Sequence, residues 1–78
     1  MHVPVLDPKI VGEVISELRR KKGLSQEVLS GLADIGRTHL SAIENGSRKP
    51  TLETLYSIAC AMEMKLSDVV AEIEKKLV

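Results

Sequence analysis

The chain has no phenylalanine or tryptophan and a single tyrosine. Its core must therefore be packed from Leu, Ile, Val, Ala and Met rather than from rings. A lone cysteine, Cys60, excludes an internal disulfide, and with no second thiol or nearby histidine it has no partners for a metal site. It reads as a small buried hydrophobe. His2 and His39 stand far apart, neither within a cluster of carboxylates or thiols. There is no glycine-rich phosphate loop, no Gly-x-Ser-x-Gly turn, and no plausible pair of nucleophile and base. The residues thus support neither a metal, nor another cofactor, nor catalysis. No apolar run reaches twenty residues, and no charged segment precedes an apolar one, so the expectation is a soluble cytoplasmic protein without a membrane partner. Net charge is also missing: eleven basic side chains balance eleven acidic ones.

What remains is short and aliphatic. With 78 residues, 44% of them hydrophobic, the chain forms one domain with a single modest core, too small for a cleft built from several layers. An all-α fold is expected. The charges are sorted along the chain. Residues 1–18 carry a net −2, residues 19–49 a net +4, and residues 50–78 a net −2. Binding to phosphates depends on local positive charge, and the positive excess falls in the middle third. Ordinary solvated surface charge would account for Lys21 and Lys22, but not for the whole asymmetry.

Capping signals and apolar spacing give five helices. Asp7 is a good N-cap and Pro8 a good first helical residue. Ile10, Val11, Val14, Ile15 and Leu18 then recur at helical spacing until Gly23 stops the run, which predicts a helix over 8–22. Ser25 caps a second helix over 26–33, and a third begins near Arg37 and stops at Asn45-Gly46. After the loop Ser47-Arg48-Lys49-Pro50, Thr51 caps a fourth helix whose buried stripe is Leu52, Leu55, Ile58, Ala59 and Met62. Ser67 is the expected cap of a fifth. Residues 1–6 form an N-terminal arm.

The second and third helices carry the most information. Leu29, Ala33, Ile35, Leu40 and Ile43 are apolar, Ser30 is small enough for close approach, and Asp34 sits where the chain must turn sharply. That pattern describes a helix-turn-helix, which buries one side and leaves the first residues of its second helix free to enter a DNA major groove.

The segments Leu24-Ser25-Gln26-Glu27, Ile43-Glu44-Asn45-Gly46, Arg48-Lys49-Pro50 and Leu66-Ser67-Asp68, at these spacings, resemble the phage-repressor-like (Cro/CI, XRE-type) DNA-binding domains over about residues 24–70. The resemblance implies a compact five-helix, lambda-repressor-like domain. The family's usual turn glycine is Asp34 here, tolerable because Asp enters the left-handed region more readily than most residues. Gly36 replaces the usual Ser or Thr cap of the recognition helix, at a cost of about a few tenths of a kcal/mol.

The resemblance also implies roles. Arg37, Thr38 and Ser41 fall at base-reading positions; an arginine fork can take both acceptors of a guanine, and a threonine can meet a thymine methyl. The adjoining position, often a reader, is Ala42. Gln26, His39, Asn45, Ser47, Arg48 and Lys49 fall where family members contact phosphates. Arg19 is expected to pair with Glu44 inside the domain rather than touch DNA.

Along the fifth helix, Leu66, Val70, Ile73 and Leu77 form one stripe, widened by Val69 and Val78. This apolar surface exceeds what closing a small core requires and points to a partner. Residues 67–78 are thus expected to be a dimerisation helix, with Val69, Val70, Ile73 and Leu77 at the interface of a homodimer facing a palindrome in double-stranded DNA. The bland reading is that this helix only closes the monomer core. Taken together, the sequence describes a DNA-binding transcriptional regulator of a prokaryote or phage. Its length and the Arg37-to-Ser41 pattern also resemble stand-alone controller proteins of restriction–modification systems. Phage repressors and antitoxins share the domain, and the alternative is an interaction module that binds a toxin or other protein partner.

Overall fold

The computed structural model describes residues 4–77. His2, the start of the arm and Val78 lie outside the described residues. Five helices follow in order: α1 Pro8–Lys21, α2 Gln26–Ala33, α3 Arg37–Glu44, α4 Leu52–Ala61 and α5 Leu66–Leu77. There is no strand among the described residues.

Local chemistry sets the boundaries. The Asp7 carboxylate accepts the Lys9 N–H at 2.9 Å, with Pro8 at the first helical position. Gly23, at φ +72°, reverses the chain after α1 while the Leu24 N–H bonds back to the Arg19 carbonyl. Ser25 and Thr51 accept the N–H groups of Val28 and Thr54 at 3.1 and 3.0 Å, capping α2 and α4. Gly46, at φ +83°, ends α3, and Glu63 takes the same left-handed role after α4 at φ +57°.

The core is aliphatic throughout. Ile15, Leu29, Leu40, Ile43, Ile58 and Val69 lose all contact with solvent, so each contributes on the order of 1.5–3 kcal/mol of transfer free energy. The second helix packs on α3 and α4, α1 on α3 and α5, and α4 on α5. The three outer helices thereby make a platform beneath α2 and α3.

Four expectations are corrected. Val69 and Ile73, assigned to a dimer interface, are 0% and 3% exposed. They face α5's own neighbours in the core and are not on the surface for a partner. Leu52, expected in the core, is 70% exposed, because it opens α4 one turn beyond the buried stripe that starts at Leu55. Cys60 is exposed; it follows the buried Ala59 and so turns to the outer side of α4 with Tyr56. Ser67 does not cap α5, which already includes Leu66, and the Lys65 carbonyl accepts the first helical N–H groups, those of Asp68 and Val69.

Candidate nucleic-acid interface

The turn between α2 and α3 is built from Asp34, at φ 55° and ψ 45°. The Ile35 N–H reaches back to the Ser30 carbonyl at 3.0 Å. Ser30 is buried, and its hydroxyl donates to the Glu27 carbonyl, so its small side chain is satisfied within α2 and leaves room for α3. Gly36 starts α3 with no side-chain cap. The helix is held instead by Leu40 and Ile43, both fully buried, so packing rather than capping fixes α3.

On the outer side of α3, Arg37 and Thr38 are exposed, while His39, Ser41 and Ala42 are half-buried. Asn45, Ser47, Arg48 and Lys49 are exposed beyond its end. The loop is organised by the Ala42 carbonyl, which accepts the N–H groups of Ser47 and Arg48 at 3.0 and 3.2 Å and the Ser47 hydroxyl at 3.3 Å. Asn45 uses its side-chain oxygen on the Ser47 N–H at 2.9 Å, which leaves its two amide hydrogens for another acceptor. The Ser47 hydroxyl proton is already engaged, so this side chain is a poorer donor than its neighbours. Ion pairs among the described residues engage Arg19, Lys75 and Lys76. Arg37, Arg48 and Lys49 carry no ion pair among the described residues, and neither do Lys9, Arg20, Lys21, Lys22 and Lys65.

Arg19 and Glu44 pair as expected. The Arg19 Nε donates to Glu44 Oε2 at 2.8 Å and its Nη2 to Oε1 at 3.0 Å, while Nη1 donates to the Leu24 carbonyl at 2.8 Å. The two side chains are 11% and 5% exposed. Burial pushes the Glu44 carboxyl up, but the hydrogen bonds from Arg19 and Gln26 together with the Arg19 charge outweigh it and hold the group below the ordinary carboxylate range. Gln26 joins this pair: its Nε2 donates to Glu44 Oε1 at 3.0 Å. The sequence reading missed that contact, because spacing does not reveal which of several polar neighbours meet.

Gly12 was missed as well. A Cβ at this position would lie 2.2 Å from the Ile43 carbonyl oxygen and 2.6 Å from that of Glu44. The glycine is what lets α1 press against the last turn of α3. A glycine inside an otherwise regular helical pattern was the available signal.

The helix-turn-helix family profile matches residues 15–69, which run from the middle of α1 into the first turn of α5. The chain belongs to the XRE-type helix-turn-helix family. It is 43% identical over 54 residues to an uncharacterized HTH-type transcriptional regulator, y4dJ, of Sinorhizobium fredii, covering 69% of this chain and 70% of that one. It is 38% identical over 66 residues to the control protein C.MunI of a Mycoplasma species, covering 83% of this chain and 89% of that protein. Among solved structures, the restriction-modification controller protein C.AhdI from Aeromonas hydrophila superposes with a TM-score of 0.79 at 31% identity, covering 83% of this chain and 98% of that one. Family membership and fold therefore agree, and they place the chain among DNA-binding transcriptional regulators. No helix among the described residues is long and apolar enough to cross a membrane.

Proposed function

We propose that this chain is a cytoplasmic, sequence-specific regulator that binds a palindromic operator as a homodimer, and that it serves as the controller of a restriction–modification system acting at its own promoter. The observation that carries the reading is the exposed start of α3. Arg37 and Thr38 project there from a helix whose opposite side is locked into the core. Arg37, Thr38 and Ser41 read base edges; Gln26, His39, Asn45, Arg48 and Lys49 hold the backbone, with Ser47 a lesser contributor. The likeness to two controller proteins along most of their length supports the narrower assignment.

The dimer face is redrawn from the one read in the sequence. With Val69 and Ile73 consumed by the core, Val70 and Leu77 are what α5 offers a partner. A mostly apolar groove of about 530 Å³, lined also by Lys49 and Glu74, continues from Val70 past Leu52 and Leu55 to Val5 and Leu6. A second copy seated there buries side chains that are otherwise wet, and the two-fold axis sets two α3 helices on successive turns of DNA.

The test is selection of bound duplexes from random DNA, followed by titration of the winner at 50 and 200 mM salt. A palindromic consensus and a loss of at least roughly tenfold in affinity across that range are expected, since each phosphate contact releases counterions. A flat salt response, or a consensus without symmetry, would refute the assignment. Failure to enrich any sequence would leave a protein-binding module as the better reading.

A further inference from the structure

We infer that Glu44 is a positioning residue for DNA binding: it fixes the side-chain amide of Gln26 so that an N–H donor is ready for a phosphate. This rests on the reading of Gln26 as a backbone clamp. Glu44 is the last residue of α3 and Gln26 the first of α2, so their 3.0 Å hydrogen bond ties the two ends of the helix-turn-helix. A pair serving stability alone would need only Arg19, which already spans both carboxylate oxygens. The further bond to Oε1 comes from a half-buried side chain at the DNA-facing start of α2.

The chemistry of that bond sets an orientation. An ionised carboxylate accepts and never donates, so the nitrogen end of the Gln26 amide must turn toward Glu44. One hydrogen on Nε2 is used there and the other is left for an outside acceptor. It lies at the opening of a helix whose Val28 and Leu29 N–H groups are taken by Ser25, while those of Gln26 and Glu27 precede the first intrahelical bonds.

Arg19 is part of the same device. An unpaired carboxylate beneath a phosphate-binding position would repel DNA, and the two Arg19 bonds neutralise it while leaving Oε1 able to accept from Gln26. The glutamine is thereby ordered before DNA arrives. A free side chain of this length must be immobilised on binding, and ordering it beforehand is worth roughly a two- to tenfold gain in affinity per half-site.

Two measurements on the full chain test this. In the unliganded protein, nuclear magnetic resonance relaxation of the Gln26 side-chain NH2 should give an order parameter close to that of rigid backbone, about 0.85; a value below about 0.6, typical of a flexible group, overturns the proposal without any substitution. The second measurement is affinity for the selected duplex in four proteins: the parent, Gln26→Ala, Arg19→Met/Glu44→Leu, and all three changes together. Replacing both members of a buried ion pair by apolar residues is often tolerated by the fold. The pair replacement should weaken binding roughly two- to tenfold more when Gln26 is present than in the Gln26→Ala background, where only the lost Arg19 bond to the Leu24 carbonyl is felt. An equal loss in both backgrounds marks Glu44 as structural only and overturns the inference, leaving the clamp reading intact. Unchanged affinity of Gln26→Ala removes the clamp reading itself, and the inference with it.

Discussion

Two glycine-to-alanine substitutions, chemically identical, should move stability in opposite directions. In a helix interior Ala is favoured over Gly by about 0.8–1.0 kcal/mol, so helix propensity alone predicts a gain at both Gly12 in α1 and Gly31 in α2. At Gly31 a Cβ meets nothing within 4 Å, and the propensity gain should appear nearly undiminished, at about 0.5–1 kcal/mol. At Gly12 the new methyl would sit 2.2 and 2.6 Å from two carbonyl oxygens, where ordinary contact begins at 3.4 Å. Both obstacles are backbone atoms of the last turn of α3, with no rotamer to escape into. The helices must separate by roughly 1 Å, loosening Ile15 and Ile43 together, and overpacking of this kind costs about 1–3 kcal/mol or more. Gly12→Ala should therefore be destabilising in spite of its better helix former, with a melting temperature lower by about 4–8 °C per kcal/mol in a domain of this size. The assay is urea unfolding followed by far-ultraviolet circular dichroism at one protein concentration, since the stability of the proposed dimer depends on it. If Gly12→Ala proves as stable as the parent, with an unchanged dependence on denaturant, the account of how α1 meets α3 is wrong.

Three further outcomes are expected. The Glu44 carboxyl titrates below its ordinary 4.5 in the folded protein, so the unfolded chain binds more protons in acid. The stability it contributes is complete at neutral pH and drains away as the pH falls from about 4.5 through the folded value; Glu44→Gln should be weaker at pH 7 and flatter below pH 5 in the same unfolding assay. Ile73→Ala should cost about 2–5 kcal/mol as a core truncation, whereas Leu77→Glu, at a site 41% exposed, should stay folded but sediment as a monomer; a stable dimer of the latter would move the interface elsewhere. Arg37→Ala and Lys49→Ala each remove one charge, yet only the first should relax preference at a symmetric base pair, losing about 1–3 kcal/mol per half-site; an unchanged ratio of specific to scrambled binding for Arg37→Ala would transfer the reading to Thr38, Ser41 or DNA shape.

Apart from Ser67, the caps and turns were legible because they are local. Asp7, Ser25, Thr51 and the left-handed Asp34 each act within a few residues of themselves, and the helix bounds followed from them. Arg19 and Glu44, 25 residues apart, were legible only through the resemblance, since nothing in spacing alone brings them together. Apolar spacing along α5 correctly gave a stripe but not which neighbour it met, so Val69 and Ile73 were assigned to a second copy when α1 and α4 already cover them. Cys60 shows the same limit from the other side: its residue type argues for burial, and its angular position one step past Ala59 overrides that. Around the start of α3 the sequence marked Arg37, Thr38 and Ser41 as candidates, while the hydrogen bonds that commit the Ser47 hydroxyl and orient Gln26 emerged only from three-dimensional proximity.

The reach of Arg19 bears on whether this helix-turn-helix can be moved to another scaffold. Its guanidinium holds the Leu24 carbonyl just before α2 and both oxygens of Glu44 at the close of α3, so a side chain from outside the two helices fastens both ends of them. Each helix is only eight residues long, shorter than the roughly 12–15 at which an isolated helix becomes even marginal in water. A cassette cut at residues 24–46 would leave its fastener behind and melt. Under the proposed assignment, altered specificity is better sought by exchanging Arg37, Thr38 and Ser41 in place, on a support whose rigidity comes from Arg19, Glu44 and the buried side chains of the core.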